Sequence, residues 1–283
     1  MVPTRNEERN LADCLECLAF AAERIVFDSY SDDATLAIAA AKGARVVQRR
    51  FDVFSTHKNW ALDHIDFAHG WILLVDADER VTPELAAEIR AIVEADDPNG
   101  PAGYYIARQN LFAGKWIRHA GMYPDYQLRL FRRGRARYED RIVHEHMQVD
   151  GATGTLANHF VHHDYKGIER YFDRHNVYTS LEAVEIHRML TGKAADTIKP
   201  NFWKKGPPRR RALKNFAYRH LPMRSVCVFL YMYVAKAGFL DGRIGFRYCL
   251  IRAFHEYQIS VKLLELRDPT SAMWARYRHW LDR

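Results

Sequence analysis

The sequence predicts an α/β protein: a doubly wound domain, with a mostly parallel sheet covered by helices on both faces, followed by a helical C-terminal appendage. Three observations carry this. Short apolar runs alternate with helix-spaced segments through the first hundred residues. The run "WILLVDADE" at 71–79 is apolar on both faces, as in a parallel strand covered on both sides. Beyond residue 164 the pattern turns to helical spacing.

Only Met1 and Val2 precede Pro3, so either the sequence starts late or the first strand is very short. "NLADCLECLAFAAE" at 10–23 reads as an amphipathic helix. "RIVFDS" at 24–29 is a strand ending at Asp28. "DDATLAIAAAKG" at 32–43 is a helix with Asp at its start and Gly at its end, as caps prefer. "ARVVQRR" at 44–50 is a strand, and "HKNWALDHI" at 57–65 has helical spacing. "TPELAAEIRAIVEAD" at 82–96 is a helix with Thr82 as cap and Pro83 in its first position. "GYYIARQNLF" and "YQLRLFRR" are later strands, expected to be antiparallel. Residues 167–192 form one long helix or a pair, and 199–211 a basic, Pro-containing connector. Residues 212–266 are helical, with a break at "GFLDGRIG".

The chain has 283 residues, 48% of them hydrophobic, enough for a sizeable core. Cys14 and Cys17 make a C-x-x-C, but Cys227 and Cys249 are not paired at zinc-ribbon spacing. Their place on a predicted helix makes Cys14 and Cys17 core thiols. Few cysteines and no secretory signal predict a cytoplasmic protein.

The net charge of +7 is local. Residues 197–240 carry ten Lys or Arg and no Asp or Glu, which leaves the remainder slightly acidic. The expected partner of that stretch is an anionic surface, phospholipid or nucleic acid. "VCVFLYMYVA" at 226–235 is the longest apolar stretch, short of the ~20 residues that span a bilayer. It reads as a buried helix or as one lying at a membrane interface.

Ligands gather at the carboxyl ends of strands in open α/β sheets. Asp28 ends one predicted strand, and Asp76 and Asp78 end another, so both clusters are expected to face one crevice. Two carboxylates at i and i+2 can share a hard cation, Mg²⁺ or Mn²⁺, whose shell is completed by substrate phosphates and water. A D-x-D alone can also simply open a turn.

The ordered set of "VPTRNEERNL", "FDSYSDDAT", "HKNWAL" and "VDADE" resembles the family 2 glycosyltransferases of the glycosyltransferase A fold, a Rossmann-like architecture. Later segments, "YPDYQLRLFRR", "VHEH", "HFVHHDY" and "AGFLDGRIGF", resemble a bacterial branch that includes lipopolysaccharide core β-glucosyltransferases. The second motif departs from the family at Tyr30 and at Asp33-Ala34, where glycines are usual. The resemblance implies a nucleotide-sugar-binding domain over 1–165 and a helical, basic region over 166–283 that meets acceptor or membrane surface. It implies that Asp28 hydrogen-bonds the base and that Pro3, Thr4, Asn6 and Glu7 wall its pocket. Lys58, Asp76 and Ala77 would contact the nucleotide-sugar. Asp78 would bind the metal, with Asp76 beside it.

A general base must take the proton of the acceptor hydroxyl. The resemblance places it at Glu145, with Asp140 and Asp125 as runners-up. His144, His146, His159, His162 and His163 cluster in sequence without the H-E-x-x-H spacing of a metallohydrolase. His163 is taken as a third metal ligand or a diphosphate contact. Arg129 and Arg132 are placed at the cleft, where they could meet phosphate, or on a solvated face.

The expected activity is metal-dependent, inverting transfer of a sugar such as glucose from a nucleotide-diphosphate sugar to a lipopolysaccharide-core or lipid-linked glycan. The basic stretch would hold the enzyme peripherally on the inner face of the plasma membrane. A nucleotidyltransferase would want a Gly-rich phosphate loop, and "PTRNEERN" has no glycine. Nucleic-acid binding through Trp203, Phe216 and Tyr218 leaves the acidic crevice unexplained, so no nucleic-acid partner is expected.

Overall fold

In chain order the first part of the molecule runs β1 (Val2–Thr4), α1 (Leu11–Cys17), β2 (Ile25–Asp28), α2 (Thr35–Ala41), β3 (Arg45–Gln48), α3 (Phe54–His64), β4 (Trp71–Leu73), β5 (Glu79–Val81), α4 (Pro83–Ala95), β6 (Gly103–Phe112), β7 (Lys115–Trp116), β8 (Asp125–Arg132), β9 (Ala136–Tyr138), β10 (Met147–Val149) and β11 (Thr153–His162). The computed structural model describes residues 1–139, 146–163, 167–193, 201–203 and 207–281. The chain divides into two units, Met1–Gly167 and Ile168–Arg283.

Strands β1, β2 and β3 are parallel neighbours in that order. Strand β4 lies on the other side of β1. The Met1 amine donates to the Leu73 carbonyl at 2.8 Å, and the Val75 N–H donates to the Met1 carbonyl at 3.1 Å. The mixed half then runs β4-β8-β6-β11-β5, antiparallel except for β6 beside β11. β6 and β8 are antiparallel neighbours, as the sequence predicts. Strands β9 and β10 form a separate antiparallel pair.

Side chains alternate between two cores, as a period of two requires. Val26 faces the core built on α1, α2 and α4, whereas Ile25 and Phe27 face the core built on α3. Val75 joins the first core, and Ile72 and Leu74 the second. This two-sided burial is why "WILLV" is apolar throughout. The regular part of that strand is shorter than expected. After Val75 the chain turns, and the Glu79 N–H closes onto the Asp76 carbonyl at 2.9 Å before β5 begins.

Local signals explain most element ends. The Thr82 hydroxyl accepts the Leu85 N–H, and Pro83 opens α4. Helix α2 starts later than its acidic prefix suggests. Asp33 caps from two residues upstream by accepting the Thr35 N–H at 2.9 Å. Helix α1 stops at Cys17 rather than near residue 23, because residues 18–21 close into turns that lead to β2.

The second unit holds α5 (Gly167–Leu190), α6 (Pro207–His220), α7 (Arg224–Leu230), α8 (Gly242–Glu265) and α9 (Ala272–Leu281). Residues 167–190 form one helix, not two. A π-helical turn over Tyr231–Ala235 and a 3₁₀ turn over Gly238–Asp241 link α7 to α8. Ala183, Val184 and Ile186 of α5 pack on Ile259 and Leu266 at α8 and on Met273 and Leu281 of α9. The run 226–235 is not a buried helix: Met232 is its one buried side chain, while Val226, Leu230, Tyr231 and Val234 are exposed. Residues 199–200 and 204–206 of the basic connector lie outside the described residues.

Candidate active site

Asp28 ends β2, and Asp76 follows β4. These strands flank β1, on either side of the point where the strand order reverses. Ligand crevices form at such points because the crossover helices diverge there.

The two N-terminal motifs are tied together residue by residue. Thr4 Oγ1 donates to Asp28 Oδ1 at 3.1 Å. The Ser31 N–H donates to Asp28 Oδ2 at 2.9 Å, and Gln48 Nε2 to the same oxygen at 3.0 Å. Asn6 N–H reaches Ser31 Oγ at 2.9 Å, and Asn6 Oδ1 accepts the Asp32 N–H at 3.1 Å. Glu7 N–H reaches Thr35 Oγ1 at 2.8 Å, and the Glu7 carboxylate accepts Asn10 Nδ2 at 2.8 Å. Pro3 lies opposite Phe27 in the β1–β2 register. Pro3, Thr4, Asn6, Glu7 and Asp28 therefore form one loop pair. Asp28 itself is fully buried and already saturated by the protein's own donors.

Tyr30 takes φ +56°, the left-handed conformation in which the family's glycine would be unstrained. The loop keeps a glycine-like turn at a tyrosine, half exposed, with Arg50 6.0 Å from its ring.

The D-x-D turn divides its two aspartates. Arg129 grips Asp76 in two places, Nη2 to Oδ2 at 2.5 Å and Nη1 to Oδ1 at 3.3 Å. The same Nη2 also reaches Glu79 Oε1 at 3.0 Å. Burial pushes the Asp76 carboxyl upward, but Arg129 and the charge of Lys58 outweigh it and hold the group well below the usual carboxylate range. Glu79 is fully buried, and burial keeps its carboxyl above the ordinary value despite Arg129. Lys58, on α3, sits 4.8 Å over the Tyr138 ring while its charge acts on Asp76. Ala77 is buried, and its carbonyl accepts Arg80 Nη1 at 2.8 Å.

Asp78 meets His162 through its side chain and His163 through the backbone. His162 Nε2 lies 3.3 Å from Asp78 Oδ2. The His163 backbone N–H donates to the Asp78 carbonyl at 3.0 Å. His162 Nδ1 faces Asn110 Oδ1 at 3.0 Å, an orientation consistent with Asn110 Nδ2 turning toward Asp125. With Nδ1 held by Asn110, Nε2 is the ring nitrogen turned toward the Asp78 carboxylate. Two lone-pair donors side by side suit a small divalent cation, and the Asn110 partner is the support a ligating histidine needs. Among the described residues no group of three His, Cys, Asp or Glu is arranged to hold a metal. Two protein ligands suit Mg²⁺ or Mn²⁺ when phosphate and water fill the rest.

Glu145 and Asp140, the expected catalytic carboxylates, lie outside the described residues, as does His144. Asp125 is described. Arg108 donates to it twice, at 2.8 and 3.1 Å, and Gln127 donates at 3.0 Å. Burial raises its carboxyl, but Arg108 and these amides hold it below the ordinary range, which suits it to anchor Arg108 rather than to take a proton.

Arg129 and Arg132 do not share a face. Arg132 pairs with Asp96 at 2.7 Å and stacks 4.5 Å over Trp71, because residues three apart on a strand point oppositely. Sequence reading missed the buried chain Asp76–Arg129–Glu79–Arg108–Asp125. The alternation of arginine with leucine in "LRLF" was its one signal. Cys14 is a core thiol, and Cys17 is half-buried. Both brace this turn: Cys14 Sγ donates to the Asp76 carbonyl at 3.7 Å, and Cys17 Sγ accepts the Val81 N–H at 3.3 Å.

Residues 1–164 match the family described as "Glycosyl transferase family 2". The lipopolysaccharide core biosynthesis glycosyltransferase LpsC of Rhizobium meliloti is 27% identical over 206 residues, covering 70% of this chain and 72% of LpsC. An uncharacterized glycosyltransferase of Rickettsia typhi, RT0209, is 24% identical and covers 93% of this chain and 85% of its own length. The mannosyltransferase PcManGT from Pyrobaculum calidifontis, solved in complex with GDP-Man and Mn²⁺, is 15% identical with a TM-score of 0.50, covering 94% of this chain and 86% of that one. With its first-half motifs tied together at the switch point of the sheet, the chain belongs to glycosyl transferase family 2 and is a nucleotide-sugar glycosyltransferase of the glycosyltransferase A fold.

Proposed function

We propose that the chain moves a sugar, glucose in the first instance, from a nucleoside diphosphate sugar to a hydroxyl of a lipopolysaccharide-core or lipid-linked glycan, with inversion and with Mg²⁺ or Mn²⁺ bound. The observation that carries this is the pairing of Asp78 with an Asn110-supported His162 at the strand-end turn. The similarity to LpsC supports the acceptor class. A divalent cation held by Asp78 and His162 would supply positive charge for the departing diphosphate. Arg129 and Glu79 fix the turn so that Asp78 is presented in one geometry. Lys58 adds a fixed positive charge beside Asp76, where the donor's phosphates would bind. Glu145, or Asp140, takes the proton from the attacking hydroxyl. The enzyme works in the cytoplasm, on the inner face of the plasma membrane, held there by the basic stretch.

The test is a panel of UDP- and GDP-sugars assayed for hydrolysis and transfer with Mn²⁺ or Mg²⁺, together with Mn²⁺ affinity measured in the presence of the nucleoside diphosphate. Asp78→Asn is expected to lower turnover about 100-fold or more, and His162→Ala to weaken Mn²⁺ binding about 10- to 100-fold. Glu145→Gln should lose turnover and keep donor affinity. Full turnover and unchanged Mn²⁺ affinity in Asp78→Asn would overturn the metal assignment.

A further inference from the structure

The exposed face of α8 is apolar along its length. Phe246, Leu250, Phe254, Tyr257, Val261 and Leu264 recur every three or four residues, and each is between 43% and 59% exposed. Its opposite face, with Gly245, Cys249 and Ile259, is the buried one. A soluble helix has the reverse arrangement, polar outward. The preceding helix repeats the feature: Val226, Leu230, Tyr231 and Val234 are exposed through α7 and the π-helical turn. Phe239 and Leu240 are exposed where the two arms meet, at a bend of 74°. Gly245 packs directly on the Gly238 carbonyl, too close for any side chain, which holds that bend. Contiguous exposed apolar surface of this kind marks an interaction site.

Charge selects the occupant. Lys236, Arg243 and Arg247 are exposed around the bend, and Asp241 is the one acidic residue between 197 and 255. A protein groove would want complementary acids or a polar rim, whereas an apolar stripe edged by cations fits anionic lipid. No single described helix is long and apolar enough to cross a membrane, but the bent pair Arg224–Ala235 and Gly238–Glu265 meets the length and composition together. We infer that this elbow seats its outward stripe in the headgroup–acyl boundary of an anionic leaflet, as an inserted anchor rather than a charge-adsorbed one. The inference rests on the membrane-surface acceptor proposed above and deepens it: the second unit would reach its acceptor from within the lipid boundary.

Insertion and adsorption respond differently to salt. Adsorbed cations are screened as the Debye length shrinks, whereas buried apolar surface is not. The full chain is floated with phosphatidylethanolamine–phosphatidylglycerol vesicles at about 0.1 M and about 1 M NaCl. The native chain should stay bound at both. Leu250→Glu/Phe254→Glu, at exposed positions that leave the core intact, should lose binding about 10-fold or more at both salts. Lys236→Glu/Arg243→Glu should lose it chiefly at low salt. A tryptophan placed by Leu250→Trp should be quenched by lipids brominated on the acyl chain. Complete release of the native chain by salt, unaltered flotation of Leu250→Glu/Phe254→Glu, or a dimer that the same variant dissolves without any vesicle binding would each overturn the inference. Hydrolysis of the nucleotide-sugar by that variant keeps the outcomes separate: the anchor can fail while donor chemistry stands, and the reverse.

Discussion

Arg129 decides more about the site than either aspartate of the D-x-D turn. Its side chain is only 7% exposed, and it balances Asp76 and Glu79 together. Removing one member of a buried ionic set leaves uncompensated charge, which costs about 3–5 kcal/mol. Arg129→Met is expected to lose stability of that order in urea unfolding at pH 7. Arg129→Met/Glu79→Gln should recover part of it, since one of the two stranded carboxylates is then neutral. Equal losses in the single and double variants would refute the coupling. The identity of these partners was hidden in the sequence. "DADE" announces charge, but nothing in "YQLRLFRR" says which arginine turns toward it until β4 and β8 pair antiparallel. The same holds for His162, which the pairing of β11 with β5 brings beside Asp78.

At the scale of elements, the sequence was most legible where caps and alternation act locally. Thr82-Pro83 opens α4 because both signals lie within one turn of the helix. It was least legible at the elbow. "GFLDGRIG" announces a break, yet α8 resumes already at Gly242 and carries Gly245 inside its first turn. Gly245 belongs to the helix because a backbone carbonyl, that of Gly238, passes against it. Gly245→Ala is therefore expected to destabilise by about 1–3 kcal/mol, although alanine is the better helix former. Thermal unfolding compared with the native chain would check this. A Gly245→Ala chain as stable as the native one would show that the elbow can open at no cost.

For the molecule as a whole, stability should fall on mild acidification. His57 is buried against Phe27, accepts Arg49 Nη1 on Nδ1 at 2.9 Å, and is lowered to about 4 by burial and then by Arg49. In the unfolded chain it titrates near the ordinary value of about 6.5. The unfolded state therefore binds the proton first. The His57 contribution is complete above about pH 6.5, falls as pH drops toward 4, and levels below that, a loss of about 3 kcal/mol. His175 in the second unit is lowered to about 4, also by burial, and acts in the same direction. Glu79, with its raised carboxyl, acts in the opposite sense near the bottom of the window. Urea midpoints of the native chain and His57→Gln between pH 8 and 5 should converge as pH falls. Parallel curves would show that His57 does not carry the dependence.

The sequence by itself determined the alternation of strands and helices, the ends of those strands as the place of chemistry, and the family, because each rests on residues adjacent along the chain. The tertiary structure decided which arginine clamps Asp76, that His162 stands beside Asp78, and that the apolar run at 226–235 leaves Val226, Leu230, Tyr231 and Val234 exposed. Those outcomes depend on strand register and helix packing between segments far apart in sequence, which no local pattern encodes.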